Sequence, residues 1–328
     1  MSRIDDIQAP VSAEMQEFRK HFREAMRTDV ALLNTVTRYI LKRNGKQMRP
    51  LFVFLTARLV AGSGTPLGRR SHVAASLIEL LHTATLVHDD VVDESPMRRG
   101  FFSVQALWRK KIAVLVGDYL LSRGLLIAVD EDTWDLLKIT SRAVREMSEG
   151  ELLQIEKARR LDITEEVYFE IIRRKTASLI AACCATGAAS VGADEEGVEK
   201  MRKFGELVGL AFQIKDDLLD LGDGQRTGKP TGVDIKERKM TLPLIHTLQQ
   251  ARPAERRRII RLVKYRHNDP AAVESVMRTI LEGPGMDYAR GKMAALRDEA
   301  IGLLDGFEDS EVKRSLVDLV DFTIDRKR

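Results

Sequence analysis

The sequence predicts an all-α protein, and three observations carry that reading. Ala, Leu, Glu, Arg and Lys are plentiful while aromatic residues make up only 5% of the 328, a balance that favours helices over sheets. Apolar residues recur at steps of three and four, as in Val73, Leu77, Leu80, Leu81, Ala84, Val87 and Val91. No stretch alternates convincingly between apolar and polar residues.

Taken in order, residues 1–20 read as an N-terminal helical arm and 21–328 as a single domain, since no composition break marks a second one. "AGSGTPLG" (61–68) is a helix connection with no chemistry needed to explain it. Helical patterns follow over 73–91, 112–129, 136–155, 167–180 and 198–221. "GDGQRTGKPTGVDIKERK" (222–239) is a longer loop that mixes glycines with Lys229, Asp234 and Lys239, and loops of that length are often lids. Beyond it, "ARPAE", "HNDPAA" and "EGPGM" punctuate further helices.

Composition excludes several classes. Hydrophobic residues at 44% and charged residues at 31% describe an ordinary soluble chain. The net charge is +4 with the signs interspersed, so no nucleic-acid tail is expected, although the excess of base suits phosphorylated small molecules. Cys183 and Cys184 are adjacent, with no spaced disulfide partner, which points to a reducing cytoplasm. The opening "MSRIDDIQAP" lacks the order of a signal peptide. The uncharged run 176–193 is too short and too polar for a membrane span, so no transmembrane segment is expected.

Two acidic clusters carry the chemistry. "ELLHTATLVHDDVVDES" sets Asp89, Asp90 and Asp93 at the end of an apolar helical pattern, and "AFQIKDDLLDLGD" repeats the arrangement at Asp216, Asp217 and Asp220. One DDxxD alone is a solvated helix face or a cap; two, each enclosing aliphatic residues, are not explained that way. Asp89 and Asp93 share a side of their helix with His82 and Thr85, as Asp216 and Asp220 do with Gln213 nearby. Clustered carboxylates repel unless cations join them, and oxygen-only donors suit Mg²⁺, which bridges substrate phosphates. Bases complete the picture: Lys46 and Arg49 three apart in "NGKQMRP", Arg98 and Arg99 in "MRRG" just beyond the first cluster, then Lys175, Lys229 and Lys239 near the other candidate segments.

With these segments in view, the chain resembles the trans-isoprenyl diphosphate synthases, or polyprenyl synthetases, over roughly residues 20 to 328. "GKQMRP", "HDDVVDESPMRRG", "KTASLI", "FQIKDDLLD" and "GKPTGVDIKERKMTLP" occur in the family's order. The resemblance implies an isoprenoid synthase-like helical bundle around a deep central cavity, in a homodimer. The family joins isopentenyl diphosphate to an allylic diphosphate and releases diphosphate. It implies that Asp89, Asp90, Asp93, Asp216, Asp217 and Asp220 mark the metal clusters, with up to three Mg²⁺ ions when substrate diphosphate is bound. Arg98 would meet the allylic diphosphate, helped by Lys175, Lys229 and Lys239. Lys46, Arg49, His82 and Arg99 would hold isopentenyl diphosphate, and Thr176 and Gln213 would lie near the reacting carbons. Asn44 and Arg238 stand where the family often has Gly.

Product length is read below the first cluster. Leu81, Ala84 and Thr85 are not aromatic, so the growing chain should pass, with Leu125 and Leu126 as deeper candidates. By analogy the product is long, about octaprenyl, and a loose membrane association would assist its release; a short farnesyl or geranylgeranyl product is the alternative. A helical HD-type phosphohydrolase, with His82, His88 and Asp89 as metal ligands, leaves "DDLLD" and "GKQMRP" unexplained. A terpene cyclase is disfavoured by the second full DDxxD, and a non-catalytic subunit of a heteromeric synthase by the intact clusters.

Overall fold

A computed structural model describes residues 3–42, 45–62, 64–98, 100–158, 161, 163–222 and 232–325. The chain runs through α1 (Arg3–Gln8), α2 (Ser12–Ala25), α3 (Ala31–Leu41), α4 (Met48–Ala61) and α5 (Arg69–Val92). A two-stranded hairpin, β1 (Met97–Arg98) and β2 (Phe101–Phe102), leads into α6 (Val104–Asp130) and α7 (Trp134–Ala158). Next come α8 (Glu165–Ile172), a π-helical turn (Arg173–Ala177), α9 (Ser178–Ser190) and α10 (Glu195–Asp220). The remainder is α11 (Val233–Lys236), α12 (Leu242–Gln250), α13 (Pro253–Tyr265), α14 (Pro270–Glu282), α15 (Gly285–Gly302) and α16 (Glu311–Ile324). The fold is all-α, as the periodicity predicts.

Contacts divide the chain into two compact units. The first comprises Met1–Val144, Ala182–Arg202 and Phe307–Leu316, and the second Arg145–Ala181, Lys203–Gly306 and Val317–Arg328. In the first, α5 is the central element and is buried over most of its length. Phe18 of α2 stacks on Phe22 at 5.3 Å and meets Phe54 of α4 edge-on at 6.1 Å, so α2 is packed on α4. α6 lies against α5 through small residues: a Cβ on Gly124 would touch Leu77 at 3.4 Å and Leu81 at 3.6 Å. In the second unit, aliphatic residues of α8, α10, α12, α13, α14 and α15 share one core, among them Ile171, Ile214, Leu218, Ile245, Val263 and Ile280.

The structure departs from the periodicity in three places. The pattern over 167–180 is not one regular helix, because Arg173–Ala177 forms a π turn, a bulge that recurs at functional sites. The hairpin after α5 carries too few residues to show alternation. Part of the expected 222–239 loop is the short helix α11; 223–231 lie outside the described residues.

One helix among the described residues, α6, is long and apolar enough to cross a membrane by length and composition. Its Ala113, Val116, Leu120, Gly124 and Ala128 are buried, whereas Val114, Leu115, Leu125, Leu126 and Val129 on the opposite face are 40–54% exposed.

Candidate active site

In the first unit, α5 delivers the first aspartate cluster at its C-terminal end. The helix stops for local reasons: Glu94 adopts a left-handed conformation (φ 50°), and Pro96 follows. Asp93 closes the last turn, its N–H donating to the Asp89 carbonyl at 2.8 Å. Asp89 and Asp93 face solvent, while Asp90 is buried. The hairpin turns at Gly100 (φ 80°) and brings Arg98 back, so that its Nε donates to Asp90 Oδ1 at 2.7 Å. Burial raises the Asp90 carboxyl above its usual range, and the Arg98 guanidinium opposes the shift.

A cavity opens on this side of α5. His82, Asp90, Arg98 and Gly45, the neighbour of Lys46, line it together with Tyr39, Leu86 and Phe101. Lys46 precedes α4 and Arg49 sits in its first turn. Arg99 lies outside the described residues. His88 points elsewhere: its Nε2 is 3.2 Å from the Val114 carbonyl, and its ring lies where a Gly117 side chain would be. His82 lines the cavity while His88 packs on α6, so the two do not converge as an HD-type hydrolase needs.

The second unit gathers the other set. Lys175, Thr176, Gln213, Asp217 and Lys239 line one pocket, with Ile163, Ile171, Ile172 and Met240 as apolar wall. The π turn presents Thr176, whose Oγ1 donates to Gln213 Oε1 at 2.8 Å. Gln213 Nε2 donates in turn to Asp217 Oδ1 at 3.0 Å, and Tyr168 Oη donates to Asp217 Oδ2 at 2.7 Å. Lys175 pairs with Glu151, and its Nζ also donates to Gln154 at 3.3 Å. Asp216 is only partly buried, and the Asp220 carboxylate accepts the backbone N–H groups of Val233 at 3.1 Å and Asp234 at 3.2 Å, fixing the start of α11. Burial raises the Asp220 carboxyl against those two amides. Lys229 lies outside the described residues.

Two members of this pocket were not assigned a role from the sequence. Tyr168 is buried and 49 residues from its partner Asp217, so no local spacing advertises it. Asp234 follows the long loop with no sequence spacing to mark a partner; Lys239 Nζ reaches it at 3.4 Å and Glu237 at 2.5 Å. Lys239 is thus oriented even though Arg238 before it takes φ 58°, a conformation easier for Gly.

The electrostatics suit a cation. Burial, with Asp234 and Asp216 adding to it, pushes Asp217 up to about 7, and burial pushes Asp234 up to about 6. Burial works against the charge of Lys239, but Asp234 and Glu237 outweigh it and hold it above the usual lysine range. Asp217 and Asp234 line the pocket beside Lys239 and Lys175, and Lys175 is already paired with Glu151. Among the described residues no three His, Cys, Asp or Glu side chains converge as a ready-made cage. The donors present are carboxylate oxygens, a set that suits a hard divalent cation.

The product-length candidates divide by face. Ala84 and Leu81 are buried, each 3% exposed, and Leu81 packs against α6 at Gly124. Thr85 is partly buried, its Oγ1 donating to the His82 carbonyl at 2.8 Å. Leu125 and Leu126 are 40% and 48% exposed on the outer face of α6.

Known proteins match this arrangement along the whole chain. The family described as Polyprenyl synthetase matches residues 30–280. An all-trans-nonaprenyl-diphosphate synthase (geranyl-diphosphate specific) of Rhodobacter capsulatus is 37% identical over 322 residues, 98% of this chain and 97% of that one. The octaprenyl diphosphate synthase of Escherichia coli is 36% identical over 307 residues, 93% of each. The crystal structure of a polyprenyl synthase from Caulobacter crescentus, complexed with calcium and isoprenyl diphosphate, superposes with a TM-score of 0.89 at 34% identity, covering 99% of this chain and 98% of that one.

Proposed function

The chain belongs to the polyprenyl synthetase family, and from that premise we propose that it condenses isopentenyl diphosphate with an allylic diphosphate to make a long-chain all-trans polyprenyl diphosphate. The observation that carries the reading is the second-unit pocket, where the separate sequence segments of Lys175–Thr176, Gln213–Asp217 and Lys239 line one polar floor under aliphatic walls.

Each group has a task. Lys175 and Lys239 offer mobile positive charge to the allylic diphosphate, Lys229 joins them, and Arg98 offers a guanidinium fork. Lys46, Arg49, His82 and Arg99 hold isopentenyl diphosphate, a reading supported by His82 and Gly45 sharing one cavity. Asp89 and Asp93 are the candidate ligands with most access to solvent, Asp216 is the candidate from the second cluster, and Asp90, Asp217 and Asp220 accept from protein donors that fix them in place. Bound Mg²⁺, up to three ions with substrate present, supplies positive charge to the departing diphosphate. Thr176 and Gln213, oriented by Asp217, present oxygen dipoles beside the allylic carbon as it gains positive charge. The double bond of isopentenyl diphosphate attacks that carbon, and a proton leaves to diphosphate. Apolar walls such as Ile171 and Ile172 keep water from quenching the cation.

We place the protein in the cytoplasm as a homodimer, with one domain over 21–328. Support for the dimer comes from α6, apolar on both faces but buried on only one. The test of function is incubation of the purified chain with Mg²⁺, labelled isopentenyl diphosphate and geranyl or farnesyl diphosphate, followed by sizing of the products. Products of about octaprenyl length are expected. Diphosphate release from a single substrate, or products ending at farnesyl, would reject the proposal.

A further inference from the structure

One helix of this protein carries a dense run of positive charge. Residues 252–266, "RPAERRRIIRLVKYR", hold seven Arg or Lys against the single acid Glu255, more than the +4 of the entire chain, so the rest is slightly acidic. They form α13 and its flanks. Ile259 and Val263 bury one stripe of that helix in the second unit's core. Arg257, Arg261 and Lys264 fall on the opposite side at helical spacing, and all three are exposed.

These bases are not explained by internal ion pairs. Arg258 turns towards α14, donating to Ser275 at 3.2 Å and Thr279 at 3.4 Å, and Arg266 pairs with Asp269. Among the described residues, Arg252, Arg256, Arg257, Arg261 and Lys264 have no carboxylate within ion-pair distance. Tyr265 stands beside them, 72% exposed, with Lys264 Nζ 5.4 Å from its ring centre. An exposed tyrosine flanked by bases is the combination that sits at the headgroup level of a bilayer.

We infer that the exposed face of α13 docks this enzyme on an anionic lipid bilayer. The inference rests on the proposed reaction for its purpose: a long polyprenyl chain has no soluble destination, so the enzyme must release it into an apolar phase. Its surface charge then orients the encounter. A bilayer of anionic lipids attracts the basic α13 face. Each Lys or Arg near such a surface strengthens partitioning about fivefold, so three together contribute roughly a hundredfold. A nucleic acid would also attract the bases, but gives the apolar product no exit.

The experiment uses the full chain and vesicle flotation without substrate. Vesicles of phosphatidylcholine with about one third phosphatidylglycerol are compared with pure phosphatidylcholine at low and physiological salt, and prenyl transfer is assayed separately in detergent. Binding to the anionic vesicles only, weakened by salt, is expected. The triple variant Arg257→Gln, Arg261→Gln, Lys264→Gln should lose about a hundredfold in vesicle binding while keeping its turnover in detergent and its melting temperature. Tyr265→Ser, a single exposed change, should weaken binding less. Equal binding to both vesicle types, triple-variant binding like the parent, or preferential capture by a DNA duplex that displaces vesicles would each overturn the surface. Absence of transfer in detergent would instead sink the proposed reaction, with the vesicle result still deciding the surface.

Discussion

At the scale of single residues, Asp217 shows how the pocket is held. Both its oxygens accept from protein, one from Gln213 at 3.0 Å and one from Tyr168 at 2.7 Å. Tyr168→Phe removes only a hydroxyl, leaving a buried oxygen without that donor, and should cost about 1–3 kcal/mol of stability. Denaturant titration of the variant checks this, and an unchanged midpoint would mean that the bond contributes nothing. The aspartates and Gln213 were legible in the sequence because helical spacing relates them within one segment. Tyr168 was not, since its partner lies on another helix and a tyrosine among aliphatics reads as core. Arg238 carries a second residue-scale expectation. It adopts φ 58°, and its guanidinium donates to His267 Nε2 at 2.5 Å while His267 Nδ1 donates to the Lys236 carbonyl at 2.8 Å. Arg238→Gly relieves the backbone and forfeits the bond, so stability should shift by less than about 1 kcal/mol, whereas Arg238→Val keeps the strain without the bond and should cost about 1–3 kcal/mol. Similar melting of the two variants would show that the dihedral is not strained.

At the scale of elements, close approach decides which helices can present the site. α10 comes so near the π turn that a Cβ on Gly209 would lie 2.5 Å from Ala177 Cα. That contact sets Thr176 against Gln213, so Gly209→Ala should lose about 1–3 kcal/mol by overpacking, with turnover falling further than the melting temperature alone explains. Turnover that simply tracks the folded fraction would contradict the positioning role. The helices themselves were legible from periodicity, but this approach was not, because a glycine in a helix carries no mark of what lies opposite. The same reasoning sorts the product-length residues. Leu81 and His88 pack on α6, and Ala84 lies between their turns, while Thr85 is turned towards the side of Asp89. Thr85→Tyr should therefore shorten the products towards geranylgeranyl or farnesyl diphosphate in a folded enzyme. Ala84→Tyr should mainly destabilise the α5–α6 packing. Product sizing beside thermal melting separates them, and a stable Ala84→Tyr enzyme with short products would reverse the assignment.

At the scale of the whole molecule, the question is what covers α6. The composition of the chain made helices legible but could not say which apolar face meets another face, because periodicity reports amphipathicity and α6 has little. Its two sides differ in kind. Ala113, Gly117, Gly124 and Ala128 are small and lie on the buried face, whereas Val114, Leu115, Leu125, Leu126 and Val129 are large and remain 40–54% exposed. A stripe of that size at helical spacing is costly in water, at about 25 cal/mol for each square ångström of apolar surface. A second copy of the chain brings the same stripe and can cover it by two-fold symmetry. Leu115→Asp or Leu126→Asp would place two carboxylates, one from each copy, in a desolvated contact. Sedimentation of the parent should report two chains together, and of either variant one. Because Leu125 and Leu126 belong to this face, the monomeric variants should also change product length or lose turnover. A parent that sediments as a single chain would leave the stripe to another partner, and a requirement for detergent to extract the protein would mean that α6 meets lipid instead.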